Sequence, residues 1–515
     1  MLTSFISSAA LGQARLSADT DDIIIGDSDT TFHADADDNI AIGINALDAT
    51  SGAATQNVAI GTNTLTALQT GDYNVAIGYH AGAALSDQVG GCVIIGREAL
   101  SQATSGIDEC ISIGYRSMHN ITSGEAVQYC VAIGTSTLRG EMVAASSGTV
   151  AIGHKALNSL TDAVGNVAIG YEALLGHTTG VRNIAIGYGA MNDTDANDCP
   201  TSTDNIFIGY DAGGGTWVTN DSNFNVGIGN YCMDAAMDGA LGNTAVGHSA
   251  MSDLTAGGYN VAVGYEALDN LETGEKNTAV GYQALTTYNN SGSGNNTAVG
   301  FYAGGIVSSG KSNTVIGSYA GALLTTGSNN TIVGYYADVD VNSDSYQTRL
   351  GSYGAVKYKS GRFSLTAAHS GVNSVIKECF KIPALSIITN ISCTVVTKST
   401  DVNPYTLNLQ LSTSTGTSAD GALANAGTTI TVPELLGAGA SNTYQQNSGI
   451  AMAGTAADIL AGTGGVDKTV YLNRPNTTIV GTADTYLYVC NAVNNGISDT
   501  SAVVLEIVVE YFGID

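Results

Sequence analysis

Basic residues are scarce in this 515-residue chain: 17 Lys and Arg stand against 45 Asp and Glu, a formal net charge of −28 at pH 7. A surface of that sign repels nucleic acid and anionic lipid, so neither is expected as a partner. No run is apolar enough to span a bilayer, and membrane insertion is not expected either. There are only five prolines. Four of them (Pro383, Pro404, Pro433, Pro475) fall in the last third of the chain, and Pro200 alone interrupts what precedes. A long segment nearly free of proline suits a hydrogen-bonded ladder, in which every N–H is needed. Eight cysteines among 515 residues do not make a disulfide framework. Neither a Gly-x-Ser-x-Gly elbow nor a His-Glu-x-x-His pair occurs, and scattered loop carboxylates are more often solvated than paired, so the chain is not expected to be an enzyme.

What the chain has in abundance is glycine, 65 residues, placed with a period. From Asp22 to Gly334 the phrase Asn-x-Ala-Ile/Val-Gly recurs eighteen times at intervals of about seventeen to twenty-two residues. Asn39 to Gly43 (with Ile42), Asn166 to Gly170 (with Ile169) and Asn260 to Gly264 (with Val263) are clean copies. The fourth position is Ile or Val in all eighteen, the third Ala in eleven and the first Asn in thirteen; the closing Gly is never missing, and Gly351 closes a degenerate nineteenth. Self-similarity at this period predicts a stacked solenoid. Alternation in a strand puts the second and fourth positions on one face and Asn, Ala and Gly on the other. The branched face is expected to be buried, the small face to let another backbone approach, and the Gly to turn with positive φ. A second phrase, as in Tyr171-Glu172-Ala173-Leu174, suggests a second short strand per coil. Eighteen or nineteen rungs at about 4.8 Å would make a rod of roughly 85 to 90 Å. Its slender core points to several copies sharing an axis.

These residues resemble the head repeats of trimeric autotransporter adhesins, over residues 22–337. Similar repeats occur in tail-fibre and appendage proteins of tailed bacteriophages. The resemblance implies a left-handed parallel β-roll and an obligate homotrimer. Met1 to Phe5 shows no basic n-region and no long apolar h-region; neither a coiled-coil stalk nor a set of membrane strands follows. The expected setting is therefore a virion assembled in a bacterial cytoplasm, as a tail or capsid appendage, with other virion proteins and a host-surface glycan or protein as partners. A purely structural capsid or tail decoration is the alternative. A bacterial surface adhesin and a polysaccharide-degrading tailspike are the further readings.

The domain plan is an attachment segment (1–20), an all-β roll (21–345), a neck (346–360) and a C-terminal domain (361–515). In the last, runs at Phe363 to Ala367, Val375 to Ile382, Ile387 to Lys398, Thr406 to Ser412, Thr428 to Val432, Thr469 to Leu472, Thr485 to Cys490 and Ala502 to Phe512 predict an antiparallel, jelly-roll-like β-sandwich. Residues 1–360 carry −23 of the charge and the remainder −5.

Several clusters offer site chemistry. Asp193, Asp195, Asn197 and Asp204 mimic a calcium loop, though position six is Asp198 rather than Gly and no helices flank it. Asp338 and Asp340 alternate along the exit from the repeats and would converge on a neck ion in a trimer. Ca2+ is the one cofactor these patterns suggest. Trp217, the only tryptophan, follows three glycines; it would stack on sugar if exposed, or pack over the coil. Cys92, Cys110 and Cys130 occupy the Asn column in consecutive copies. A thiol ladder, a disulfide or a soft-metal site is open to them, beside the plainer reading of small buried replacements for Asn. Gly305 to Ser312 spells a phosphate loop but leads into another rung rather than a helix, so a spacer turn is expected.

Overall fold

The computed structural model describes the strands Ala14–Leu16 and Ile23–Gly26, residues 37–351 apart from short stretches (50–53, 87–88, 105, 122–126, 143–146, 195–200 and 340), and the backbone of strands between residues 356 and 512. Among the described residues there is no α-helix, and so none that could cross a membrane. By its internal contacts the chain divides into two units, residues 1–277 with 289–293, and residues 278–288 with 294–515.

In the first unit, fourteen strands from Ile23–Gly26 to Val261–Val263 stack parallel and in register. Like positions align, as Val167 with Ile184 and Ala168 with Ala185. The edge of the first rung is covered by Ala14–Leu16, which pairs antiparallel with Ile23 to Ile25, one way of blunting an open edge. In the second unit five strands continue the same pattern from Thr278–Val280 to Thr348–Leu350. The degenerate copy ending at Gly351 is thus a rung of the same kind.

The expected orientation of the strand is reversed. The middle Ala is the buried residue, whereas the Val/Ile on either side are half-exposed. A coil of about seventeen residues has room for one large side chain per rung: where the opposite arc supplies Leu or Met the strand supplies Ala, and where that arc carries Gly the strand seats Ile94, Val315 or Phe207. The Leu and Met of that arc, such as Leu157, Leu174 and Met251, complete the interior. Volumes compensate along the column. Gly82 stands where neighbouring coils carry Leu, and Ile94 of the next rung takes the space: a Cβ on Gly82 would lie 3.2 Å from Ile94 Cδ1. Phe207 likewise replaces Ala, and Gly227 above it has no Cβ to meet the ring, 2.5 Å away.

The second phrase of each coil is not a strand. After Gly170 (φ +142°), Glu172 (+54°) and Leu174 (+51°) are left-handed while the residues between them are not. Alternating hands curl the backbone tightly, and its amides bond alternately to the coils below and above: Glu172 N–H to His154 O at 2.9 Å, Leu174 N–H to Ala190 O at 3.0 Å. The closing glycines from Gly43 to Gly334 lie between φ +131° and +148°. A Cβ on Gly78 would sit 2.6 Å from the Gly96 carbonyl oxygen. Side chains are excluded on both counts, which explains a column without exceptions.

The Asn column lies inside the coil and closes its own ladder. Asn260 donates through Nδ2 to Asn243 Oδ1 (3.0 Å) and to Gly274 O (2.8 Å), and its Oδ1 accepts from Asn277 N (2.9 Å) and Nδ2 (3.1 Å). The second unit repeats the scheme through Asn296, Asn313 and Asn330. Every polar atom of a fully buried carboxamide thereby finds a partner.

Beyond residue 351 the described strands are antiparallel. Val356–Leu365 pairs with Val503–Phe512, which pairs with Ile387–Thr397, and that with Thr469–Leu472 and Thr478–Ile479. A second sheet joins Val375–Ile382, Thr485–Asn491, Leu407–Ser412 and Gly449–Ala451. The run expected at Thr428 to Val432 lies outside the described residues.

Candidate interaction face

Turning the Val/Ile outward creates an apolar stripe, and the residue after each closing Gly widens it. In the first unit His154, Tyr171, Tyr188 and Tyr210 stack coil upon coil, with ring centroids 5.1, 4.7 and 5.2 Å apart and planes within 10°. Tyr231, one residue later in its coil, and then His248 and Tyr265 extend the column, with edge contacts on either side of Tyr231 and a stacked final pair. In the second unit Tyr282 stacks on Phe301 at 4.9 Å, and one residue further along their coils Tyr319 stacks on Tyr336 at 4.8 Å. Stacking fixes each ring against its neighbour, yet Tyr188 keeps 49% and Phe301 44% of its surface exposed.

Charge enters this column at one place. Arg97 lies between Tyr79 and Tyr115, its guanidinium carbon 6.0 and 5.6 Å from their ring centres, and Arg116 lies 5.1 Å from Tyr115. Glu98 accepts from Arg116 at 2.6 Å and from Arg97 at 3.0 Å. Those bonds, Arg116's first, hold its carboxyl below the usual range.

The residues singled out from the sequence are dispersed. Asn39, Asn166 and Asn260 are fully buried ladder members, and Ile42, Ile169 and Val263 belong to the outward stripe. Trp217 packs inside the coil: it is fully buried, its indole N–H bonds to Gly213 O at 3.0 Å and its ring meets Phe207 edge-on at 6.0 Å. Asp193 Oδ2 accepts from Thr216 Oγ1 at 2.7 Å. Asp204 is engaged by Arg182 through Nε (2.6 Å) and Nη2 (2.8 Å), which holds its carboxyl below the usual range. Asp195 and Asn197 lie outside the described residues. The carboxylate of Asp338 accepts from the backbone N–H of Leu323 (2.7 Å) and of Val339 (2.8 Å), while Asp340 lies outside the described residues. Among the described residues no cluster of three or more His, Cys, Asp or Glu is arranged to hold a metal ion.

Cys92, Cys110 and Cys130 are free thiols buried in the Asn column. They take over part of its hydrogen bonding: Cys92 N–H bonds to Asn74 Oδ1 at 3.1 Å, and Cys130 N–H to Cys110 Sγ at 3.5 Å. Burial pushes the Cys92 thiol up to about 11, and contact with Cys130 together with burial raises that of Cys110. In the phosphate-loop look-alike, Lys311 N–H bonds to Ser328 Oγ at 3.0 Å and Ser312 N–H to Gly294 O at 2.7 Å. Those amides hold neighbouring coils rather than an anion.

Sequence reasoning missed one buried titratable group. His177 occupies a column that is Leu in other coils (Leu160, Leu254, Leu271) and is fully buried. Its Nε2–H donates to Gly180 O at 2.9 Å and its Nδ1 lies 3.1 Å from Thr194 Oγ1. The signal was available as a polar residue at a position that several copies fill with Leu, though Thr194 and Tyr288 share it.

No protein-family model, no curated protein and no solved structure matches this chain.

Proposed function

We propose that this chain is a structural fibre or appendage protein of a tailed-bacteriophage virion, assembled as a homotrimer in the host cytoplasm. The observation that carries the reading is the outward stripe of half-exposed Val/Ile and stacked aromatics, present in each unit. An isolated coil leaves that stripe in water, and contiguous apolar surface on this pattern marks an interface. The occupant that fits best is another copy of the chain, because an in-register repeat presents the same columns along its length and a cyclic assembly can match them rung for rung. The resemblance of the repeated phrase to trimeric β-rolls and phage appendages is what favours three copies and a virion setting. The net charge of −28 would keep such fibres apart from one another. In this reading the antiparallel sheets beyond residue 351 close into a β-sandwich that meets a host glycan or protein, or another virion protein. The role is mechanical rather than catalytic.

Sedimentation equilibrium of the full chain is the first test, with three copies of the 52.2 kDa chain as the expected species. Placing charges on the stripe with Ile186→Lys and Tyr188→Glu should shift the equilibrium toward monomer. A wild-type monomer at micromolar concentration would remove the basis for the fibre. Labelled full-length trimer should bind host cells saturably and compete with phage adsorption. A folded trimer that does neither is a structural decoration instead.

A further inference from the structure

The residue preceding each Asn of the repeat is left-handed, for instance Asp38 at φ +59°, Lys276 at +59° and Asn329 at +60°. Gly, Asn and Asp suit such a position; bulky rings do not. Five copies nevertheless carry an aromatic there: Tyr73, Tyr129, Phe224, Tyr259 and Tyr346, all largely exposed. Tyr73 lines an open cleft of about 620 Å³ together with Asp72, Asp108, Gln128 and a floor that includes Gly71, Gly90 and Gly106. That volume is in the range of small-molecule sites.

The cleft is built. Ile107–Asp108 pairs in parallel with Val127–Gln128, and Gly90 bridges to Asp108, so the wall that bears Asp108 and Gln128 is pinned to successive coils. Thr55 holds Asp72 Oδ1 through its backbone N–H (2.7 Å) and its hydroxyl (2.9 Å), which fixes the opposite carboxylate. Glycine keeps the floor low: a Cβ on Gly90 would lie 3.2 Å from Asp108 Oδ1, and one on Gly71 would lie 2.5 Å from Val89 O.

We propose that this cleft binds a neutral saccharide, with Tyr73 as the stacking platform and Asp72, Asp108 and Gln128 as hydrogen-bonding partners. A pyranose has an apolar C–H face that lies flat on an aromatic ring and a rim of hydroxyls that donate to carboxylates and exchange bonds with a carboxamide. Two carboxylates and no cation among the lining residues disfavour acidic sugars. The site is separate from the terminal contact proposed above and does not depend on it.

The test is titration of the full-length chain with a panel of neutral mono- and oligosaccharides, with sialylated counterparts alongside, read by saturation-transfer NMR and calorimetry. Saturable binding of a neutral glycan is expected, weaker for its sialylated form. Tyr73→Ala should lower affinity about tenfold, the scale of a lost aromatic contact, and Asp108→Asn should weaken it further, while Tyr73→Phe should retain most binding. Tyr259→Ala, in the same left-handed column but away from the cleft, should leave binding unchanged. The proposal is overturned if no neutral glycan binds saturably, if Tyr73→Ala has no effect, or if Tyr259→Ala is equally damaging. Circular dichroism and melting of each variant separate loss of the platform from loss of the coil.

Discussion

The carboxamide of Asn260 bonds to that of Asn243, Nδ2 to Oδ1 at 3.0 Å, one coil below and wholly out of water. Because Asn260 also serves Gly274 O and the amide of Asn277, removing it strands groups on three neighbours. Asn260→Ala should cost about 2–4 kcal/mol, the scale of several buried groups left unpaired. Asn260→Asp should cost at least as much, since a carboxylate has no hydrogen to give Gly274 O. Chemical denaturation of the purified variants measures both, and a cost below 1 kcal/mol for the Ala variant would contradict the ladder.

Gly78 tests the second invariant column. Its φ of +137° and the Gly96 oxygen 2.6 Å from where a Cβ would sit act together. Gly78→Ala should destabilise by about 3 kcal/mol or more, combining backbone strain with a steric shift. Gly148→Ala is the comparison: φ is +69° but nothing lies within 4 Å of the added carbon, so only the backbone cost of about 1–2 kcal/mol is expected.

The repeat was legible because it is physically over-determined. A Gly that must be Gly stands in every copy and an Asn whose four hydrogen bonds all have partners stands in thirteen of eighteen, and that periodicity was enough to give parallel, in-register rungs. Which way the strand faces was not legible. Val-Ala-Ile reads as a branched apolar face with a small back, and burial by area favours the branched face. The narrowness of the coil decides otherwise, and that width is set by the curl of residues such as Glu172 and Leu174. Their left-handed φ is not encoded by any residue type that favours it. Trp217 was ambiguous for a related reason: three preceding glycines look like a loop, yet Gly213 supplies the acceptor for its indole N–H. The cleft beside Tyr73 could not be seen at all, because its walls come from segments separated by about a coil each.

Acid should act on the buried His177 and the half-buried Asp234 with opposite signs. Burial depresses His177 from 6.5 to about 4. The unfolded chain therefore takes up a proton first, and stability falls as the pH drops from about 6.5 toward 4, by up to about 3 kcal/mol. Asp234 is pushed up to about 6 by desolvation, aided by Asp211, Asp253 and Asp269. Its folded form holds the proton more tightly, so its contribution is present at low pH and lost as the pH rises through about 6. His177→Leu should flatten the acid limb of a stability-against-pH curve, and Asp234→Asn should stabilise at pH 8 while changing little at pH 4. Urea melts at intervals of half a pH unit would separate the two, and a His177→Leu curve that overlays wild type would refute the first assignment.

The thiols in the Asn column make a final test of the coil interior. Cys92, Cys110 and Cys130, together with Cys232 outside that column, are fully buried; burial raises the thiols of Cys92 and Cys232 to about 11 and 12 and helps raise that of Cys110, whereas the hydrogen bond with Cys110 lowers that of Cys130, which is protected by exclusion of the reagent alone. At pH 8 a thiol near 11 is ionised to about one part in a thousand, and the reactive species is the thiolate. Iodoacetamide at pH 8 should therefore leave these four unmodified in the folded protein and label all four in guanidinium, as read by peptide mass mapping. Cys110→Ser should be tolerated better than Cys110→Leu, because the hydroxyl can accept from Cys130 N–H in place of Sγ whereas the larger side chain has no room in a column sized for Asn. Rapid labelling of Cys110 in the native protein would mean that the rungs open at this point, and the ladder described for its Asn neighbours would then have to be weakest where cysteine replaces it.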